Sequence, residues 1–289
     1  NLLSSSRTKL KGCIEVPGDK SISHRAIIIS SVADGTTKIQ NCLNSEDVNA
    51  TIAACRSMGV HIEKHNGSLI IHGNNLARIS GDDIEFNFGN SGTSMRLMMG
   101  VLSAQNISSV LVGDESLNKR PMDRISKPLI KMNADIKTSN NTPPVFINPV
   151  KKIINVDHYE EIASAQIKSS ILLAGLYGDD ELSITTPPSR DHTEIMLRDF
   201  KCNISNDAHA IKMIPSRLQS PGIVHVPGDL SSAAFFIVGA ILAEDSEVTI
   251  NNIGLNPLRT GFIEILKMMG ANISIFDQKK TNGETVGSL

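Results

Sequence analysis

Four stretches of the chain are apolar on every side of a helical projection: residues 26–33, 97–102, 171–176 and 233–243. A helix of that kind belongs in an interior. Each stretch follows a polar loop and is followed by the same succession of elements. A short strand comes first, at Thr37–Gln40, Ser109–Val112, Leu182–Thr185 and Glu247–Asn251. An amphipathic helix is next, and one or two strands close the unit. Pro121 and Pro257 read as first-turn prolines of these second helices, where a missing N–H costs nothing. Glu46 and Asp47 suit the positive end of the dipole. A Gly, Asn or Cys (Gly59, Asn133, Cys202, Gly270) ends each amphipathic helix.

The succession is an internal repeat. Val16-Pro17-Gly18-Asp19 returns as Val226-Pro227-Gly228-Asp229, and Met58-Gly59-Val60-His61-Ile62 as Met269-Gly270-Ala271-Asn272-Ile273. The closing anchors Met58, Met132, Phe200 and Met269 are 74, 68 and 69 residues apart, a spacing that marks one unit used four times. Strands alternating with helices imply an α/β or α+β layered fold. Each unit has one buried and one surface helix, so several units must pool their buried helices in a common core. Joints fall at Thr142-Pro143-Pro144 and, more strongly, at Ser220-Pro221-Gly222, after which the Val-Pro-Gly-Asp start recurs. The polar tail from Asp277 to Leu289 reads as an interrupted chain, because a fourth unit alone has no partners for its apolar helix.

Composition narrows the function. The 289 residues hold 28 basic and 30 acidic side chains, with two Tyr, eight Phe and no Trp. That leaves neither the charge nor the stacking surface of a nucleic-acid binder. Cys13, Cys42, Cys55 and Cys202 are scattered, with no C-x-x-C, as expected of free thiols in a reducing cytoplasm. The run 233–243 is too short to cross a bilayer, and Asn1–Arg7 lacks the apolar stretch of a signal peptide.

Polar side chains gather at the starts of the all-apolar helices. Lys20, Ser21, Ser23 and Arg25 open the first. Asn90, Ser91, Gly92, Thr93, Ser94 and Arg96 open the second, and Ser164, Gln166 and Lys168 the third. Helix N-termini offer free N–H groups and a positive dipole end, where cations are otherwise disfavoured. Capping accounts for one serine per helix but not for the cations, so an anionic ligand with phosphate or carboxylate groups is expected. Gly92 fits either a close approach to that ligand or a positive φ. Arg120 either reaches the same surface or pairs with Asp114 or Asp123. Asp191, His192 and Glu194 open an amphipathic helix and read as structural. His61, His65 and His72 lack ligand spacing and read as surface residues.

These motifs together resemble the 5-enolpyruvylshikimate-3-phosphate synthase family of enolpyruvyl transferases. The resemblance rests on Pro17–Arg25, Gly89–Arg96, Lys119-Arg120-Pro121-Met122, Ser164–Ser169, Ser189-Arg190-Asp191-His192-Thr193 and Val226–Asp229. It implies an inside-out α/β barrel of βαβαββ units, with helices inside and sheets outside. Residues 15–221 would form a complete three-unit domain, and 1–14 with 222–289 part of a second. The family moves the carboxyvinyl group of phosphoenolpyruvate to the 5-hydroxyl of shikimate 3-phosphate and releases phosphate, in the pathway to chorismate and aromatic amino acids. It uses no metal or organic cofactor, and a cytoplasmic monomer sensitive to glyphosate is the expectation. Carried over by position, Lys20 would touch both substrates and take part in proton transfer. Ser21, Arg25, Ser164, Ala165 and Gln166 would hold shikimate 3-phosphate. Gly92, Arg120 and Gln166 would meet phosphoenolpyruvate. Two departures stand out: Leu97 replaces a frequent proline, and Ala165 replaces a common serine. The family's catalytic aspartate and further arginines are expected beyond Leu289, Asp229 not being their equivalent, so the 289 residues alone are expected to be inactive. The alternatives are the transferase acting on UDP-N-acetylglucosamine, which has asparagine after its lysine and a loop cysteine, and a non-catalytic phosphate-binding repeat protein.

Overall fold

The structure is a computed structural model and describes residues 9–207 and 210–289. The segment 1–7, read above as lacking a signal sequence, and residues 1–8 of the 1–14 segment lie outside the described residues. In chain order, β1 (Lys11–Glu15) precedes α1 (Lys20–Val32), β2 (Thr36–Gln40), α2 (Glu46–Ser57), β3 (His61–His65) and β4 (Ser68–His72). Next come β5 (Ile84–Asn87), α3 (Gly92–Leu102), β6 (Ser109–Val112), α4 (Asp123–Lys131), β7 (Asp135–Ser139) and β8 (Thr142–Asn148). The third set is β9 (Asp157–Tyr159), α5 (Ala165–Gly175), β10 (Leu182–Thr185), α6 (His192–Asp199), β11 (Asn203–Asn206) and β12 (Ala210–Ile214). The chain closes with β13 (Ile223–His225), α7 (Leu230–Leu242), β14 (Glu247–Asn251), β15 (Ile253–Gly254), α8 (Gly261–Met268), β16 (Phe276–Thr281) and β17 (Glu284–Ser288).

Three four-stranded sheets share one plan. In β5-β6-β8-β7 and β9-β10-β12-β11 the first two strands are parallel and flank a buried helix, and the last two form an antiparallel hairpin. The sheet β13-β2-β4-β3 has the same plan, but its opening strand comes from Ile223–His225, nearly two hundred residues later. These residues follow the joint read at 220–222, yet pair with β2. The opening strand β1 pairs in parallel with β14 instead. The chain therefore crosses between two bodies twice, and both crossings use the repeated Pro-Gly-Asp turn. Asp19 N–H donates to the Pro227 carbonyl at 2.8 Å, and Asp229 N–H to the Pro17 carbonyl at 2.9 Å. Gly18 must be glycine here, because a Cβ would stand 1.9 Å from the Asn41 carbonyl oxygen.

α1, α3 and α5 are the interior. Every residue of α1 from Ile22 to Val32 is buried, as are nearly all of α3 and α5. Ile27, Ile28 and Ile29 are almost wholly sequestered, each contributing about 1.5–3 kcal/mol of apolar transfer. The three sheets lie outside them. A second, smaller cluster gathers Val16, Leu230, Ala233, Ile237, Ile250 and Ile263, among others. Here the apolar helix of the fourth unit lacks partners among the described residues, as expected of one such unit alone. α7 buries only Leu230, Ala233 and Ile237, while Phe235 and Leu242 are 82% and 79% exposed. Described neighbours cover one side of it only. None of the described helices is long and apolar enough to cross a membrane.

Local signals carried unequally. The four internal strands following the apolar helices lie where expected, the first one residue longer. The opening strands β5, β9 and β13 went unread, being short and mixed in polarity. Pro121 and Pro257 precede α4 and α8 by a residue or more and are not in their first turns; Pro128 is instead inside α4. Thr142-Pro143-Pro144 is no joint but the start of β8, where the ladder skips both prolines, as their missing donors require. The amphipathic helices end at a left-handed residue directly after Met58, Met132, Phe200 and Met269: Gly59, Asn133, Lys201 and Gly270. In the third unit Lys201, not Cys202, takes that place.

Gly18→Ala is expected to cost about 3 kcal/mol, the upper range for forcing extra volume into packed backbone. Gly261→Ala, at the open start of α8 with nothing within 4 Å of its Cβ, should gain about 0.4–1 kcal/mol. Urea denaturation of both variants measures the difference, and equal midpoints would contradict the packing at the crossing.

Candidate active site

The first turns of α1, α3 and α5 meet. Asp19 caps α1, accepting from Ile22 N–H at 2.9 Å; Ser91 caps α3 and Ser164 caps α5, each accepting at 3.3 Å. The serines at 91 and 164 thus spend their hydroxyls on capping. Gln166 ties α5 to α3: its Oε1 accepts from Arg96 at 2.7 Å and its Nε2 donates to Thr93 Oγ1 at 3.1 Å. Arg25 ties α1 to α5 and α6. Its Nε donates to Thr193 Oγ1 at 2.6 Å, one terminal nitrogen to Ser169 Oγ at 2.8 Å, the other to the Ser21 carbonyl at 2.9 Å. Three of its five N–H donors are thereby used internally. Although buried, with its pKa lowered by desolvation to about 10, Arg25 stays charged at neutral pH.

Beneath this surface runs a buried hydroxyl chain. His24 Nδ1 is 2.8 Å from Thr51 Oγ1, Thr51 is 2.6 Å from Ser94 Oγ, and Ser94 is 2.6 Å from Ser91 Oγ. Ser94 also donates to the Asp47 carbonyl at 3.1 Å. Burial pushes His24 down to about 3, so its ring is a neutral link. The chain fixes the start of α2 against α1 and α3. That matters because Asp47, on α2, accepts from Lys20 Nζ at 2.9 Å. Lys20 itself stays half exposed at the mouth of the surface.

Cations collect on the α3 side without matching carboxylates. The Arg96 guanidinium is lowered first by burial, then by Arg120 and Arg124 beside it. Arg120 donates to Asn90 Oδ1 and lies against Gly92, where a Cβ would come within 3.0 Å of its guanidinium. Gly92 is the first residue of α3 and does not have a positive φ, so backbone conformation does not call for glycine there. Arg120 thus reaches the helix-start surface instead of pairing with Asp123; Asp114 is linked to it through Asn90, at 2.7 Å. On the α1 side Arg190 stands 3.4 Å from Ser21 Oγ. Ala165 is buried at the first position of α5, presenting only backbone.

Other residues fall elsewhere. Lys168, read as a third cation for the ligand, is buried and ion-paired with buried Glu194 at 2.5 Å, donating to the Ser189 carbonyl at 3.1 Å. Its aliphatic stem lies on the interior side of α5. The pair is close but poorly directed, and neither Glu194 oxygen has a well-aligned donor. Asp191 and His192 join the two clusters: Asn256 donates to Asp191 at 2.7 Å, and His192 Nδ1 is 2.6 Å from Glu284. Their role is structural, as a joint between the two clusters. Asp229 caps α7 and shares Arg259 with Asp19, at 3.3 and 2.6 Å. Asp47, Arg124 and Arg190 were missed as neighbours of the surface. Asp47 is 27 residues from Lys20, and no local spacing links them. His61 and His72, which lack spacing in sequence, face each other across β3 and β4.

Buried helices whose converging starts hold an ammonium, guanidinium groups and free N–H groups, wrapped in repeated four-stranded sheets, define a repeat protein with helices inside and a cation-rich surface at their starts. The chain belongs to the EPSP synthase (3-phosphoshikimate 1-carboxyvinyltransferase) family, which matches residues 5–288. It is 43% identical to the 3-phosphoshikimate 1-carboxyvinyltransferase of Hydrogenovibrio crunogenus over 97% of the chain and 65% of that protein. It is 47% identical to that of Legionella pneumophila over 100% of the chain and 67% of the relative. A solved EPSP synthase from Acinetobacter baumannii superposes with a TM-score of 0.88 at 45% identity, covering 96% of this chain and 64% of that one. The chain thus spans about 65% of the length of the first of these relatives.

Lys168→Met is expected to destabilise the chain by about 3–5 kcal/mol, because it strands a buried carboxylate. Burial already raises the Glu194 pKa, with Lys168 opposing. A carboxyl raised in the folded state binds more protons folded than unfolded, so its penalty is felt as pH rises above the unfolded value and relieved as pH falls. The deficit of Lys168→Met should therefore shrink from pH 7 toward pH 5, and Lys168→Met/Glu194→Leu should recover most of it. Chemical denaturation across that range checks both; a pH-independent deficit would contradict the pairing.

Proposed function

We propose that this chain supplies the shikimate 3-phosphate-binding part of an enolpyruvyl transferase, which moves the carboxyvinyl group of phosphoenolpyruvate to the 5-hydroxyl and releases phosphate. The observation that carries the reading is the crowding of Lys20, Arg96, Arg120 and Arg190 around three helix starts, with Asp47 the one carboxylate in direct contact with any of them among the described residues. Such crowding costs energy unless polyanions share it. Both substrates carry a phosphate and a carboxylate.

In this reading the N–H groups at the start of α5, with Ser164 and Ala165, take the sugar-like ring's phosphate. Ser21 and the two uncommitted N–H donors of Arg25 take its carboxylate. Gln166, held by Arg96 and Thr93, lies between the two substrates. Phosphoenolpyruvate sits above Gly92, with Arg120 on its phosphate. The 5-hydroxyl oxygen gives up its proton as it bonds to C2 of phosphoenolpyruvate, and C3 gains a proton. Loss of that C3 proton then expels phosphate from C2. Lys20, half exposed beside Asp47, exchanges that partner for substrate, moves a proton and meets negative charge as it develops. Residues 15–221 are proposed as a domain of three units, its first sheet completed by β13 at Ile223–His225, with 1–14 and the rest of 222–289 part of a second, in a monomer.

Calorimetry on the chain tests this. Shikimate 3-phosphate should bind, and UDP-N-acetylglucosamine should not. Lys20→Met removes a charge-assisted contact of about 1.5–3 kcal/mol, which weakens binding about 10- to 100-fold. Lys152→Met, in an exposed pair with Asp179, should leave it unchanged. Gly92→Ala should preserve shikimate 3-phosphate binding but weaken phosphoenolpyruvate, by pressing on Arg120. Equal losses at Lys20 and Lys152, or binding of the UDP-sugar alone, would overturn the assignment.

A further inference from the structure

The surface of the first sheet carries a cluster that the reaction does not use. His61 and Glu63 are two apart on β3 and so share a face. His72 on β4 lies directly opposite His61 in the antiparallel register, and Thr36 on β2 lies directly opposite His72. Three adjacent strands thus bring one row of side chains together on the outer face. The rings of His61 and His72 are 5.1 Å apart and tilted by 35°. One ligand atom from each of His61, Glu63 and His72 lies within 4.8 Å of the others.

From this juxtaposition we propose a surface site for a borderline divalent transition ion of the zinc class, held by His61, Glu63 and His72. Two imidazoles and a carboxylate are the donor set such ions select, whereas magnesium and calcium require a nearly all-oxygen shell. The site has features beyond proximity. Glu63 Oε1 already sits 2.5 Å from His61 Nε2, the nitrogen and oxygen an ion would join in place of the shared proton. Among the described residues no lysine or arginine pairs with Glu63, so its carboxylate is not committed to a permanent cation. Thr36 Oγ1 is 3.0 Å from His72 Nδ1 and orients that ring from outside the cluster, as partners of metal-binding imidazoles do. A small closing rotation of exposed rings brings the donors to coordination distance, and water completes the shell. The ion would pin β3 to β4 at the end of the hairpin farthest from its turn. It lies outside the helix-start surface and has no part in carboxyvinyl transfer.

Titration of the untagged 289-residue chain with Zn2+ and with Ni2+ tests the site. One equivalent of each should bind, Ni2+ competing with Zn2+ for the same place, while Mg2+ and Ca2+ produce no saturable heat. His72→Gln and Glu63→Gln should each weaken Zn2+ binding at least about tenfold. His65→Gln, on the same face one step along β3, should leave affinity unchanged. Zn2+ should also raise the melting temperature of the parent chain by mass action, and not that of His72→Gln. All three substitutions are at exposed positions, and the melting temperature without metal reports their folding directly. Absence of saturable Zn2+ and Ni2+ binding, equal affinity in His72→Gln, or loss of binding in His65→Gln would each overturn the proposal.

Discussion

The structure depends on a reciprocal exchange of backbone hydrogen bonds between two copies of one turn. Asp19 donates to Pro227, and Asp229 donates to Pro17. Each Pro-Gly-Asp turn leaves one body and enters the other, directly after a strand, β1 or β13, that stays behind to pair with β14 or β2. The same aspartates cap α1 and α7. Two carboxylates this near would repel, and Asp229 is raised by burial and by Asp19. Arg259 answers that repulsion by donating to both. Strand exchange, helix initiation and charge balance thus meet at one crossing, and the start of α1, with Lys20 beside it, inherits its position from there.

A second constraint is electrostatic. Three helix starts placed together add their positive dipole ends, and the chain brings further cations to them. The fold tolerates this by dividing the cations into two kinds. Arg25 and Lys168 turn inward, where hydroxyls, carbonyls and Glu194 hold them. Lys20, Arg96, Arg120 and Arg190 remain at the surface, with neutral partners or one carboxylate. Inward cations tie the helices to one another; outward ones leave the surface rich in positive charge. The neutral His24 chain serves the first purpose too, joining three helix starts without adding charge.

Part of this was legible without coordinates. The repeat showed itself through Val-Pro-Gly-Asp and through Met58, Met132, Phe200 and Met269, because every unit ends its second helix with a large apolar residue before a left-handed one, buried in the first three units and exposed at Met269. The interior helices showed themselves through unbroken apolarity. The gathering of Ser, Gly and cations at their starts pointed to an anion surface, since capping needs only one such residue each. The direction of Lys168 was not legible: periodicity places it near the others, but only packing against α6 turns it toward Glu194. The exposure of α7 was legible, because a fourth unit alone has no partners for its apolar helix.

By itself, the sequence determined what is local or periodic: four units, the order of helix and strand within each, the caps, and which helices must be shielded from water. Hydrophobic period and capping chemistry act over a few residues, so they are written in adjacent letters. Only the tertiary structure decided which strand opens which sheet, that Ile223–His225 belongs beside β2 while Lys11–Glu15 belongs beside β14, and that Lys20 meets Asp47 and His61 meets His72. Those pairings join residues far apart along the chain. Backbone hydrogen-bonding groups are alike in every strand, so the choice of partner comes from how the buried faces pack, which no single stretch of sequence contains.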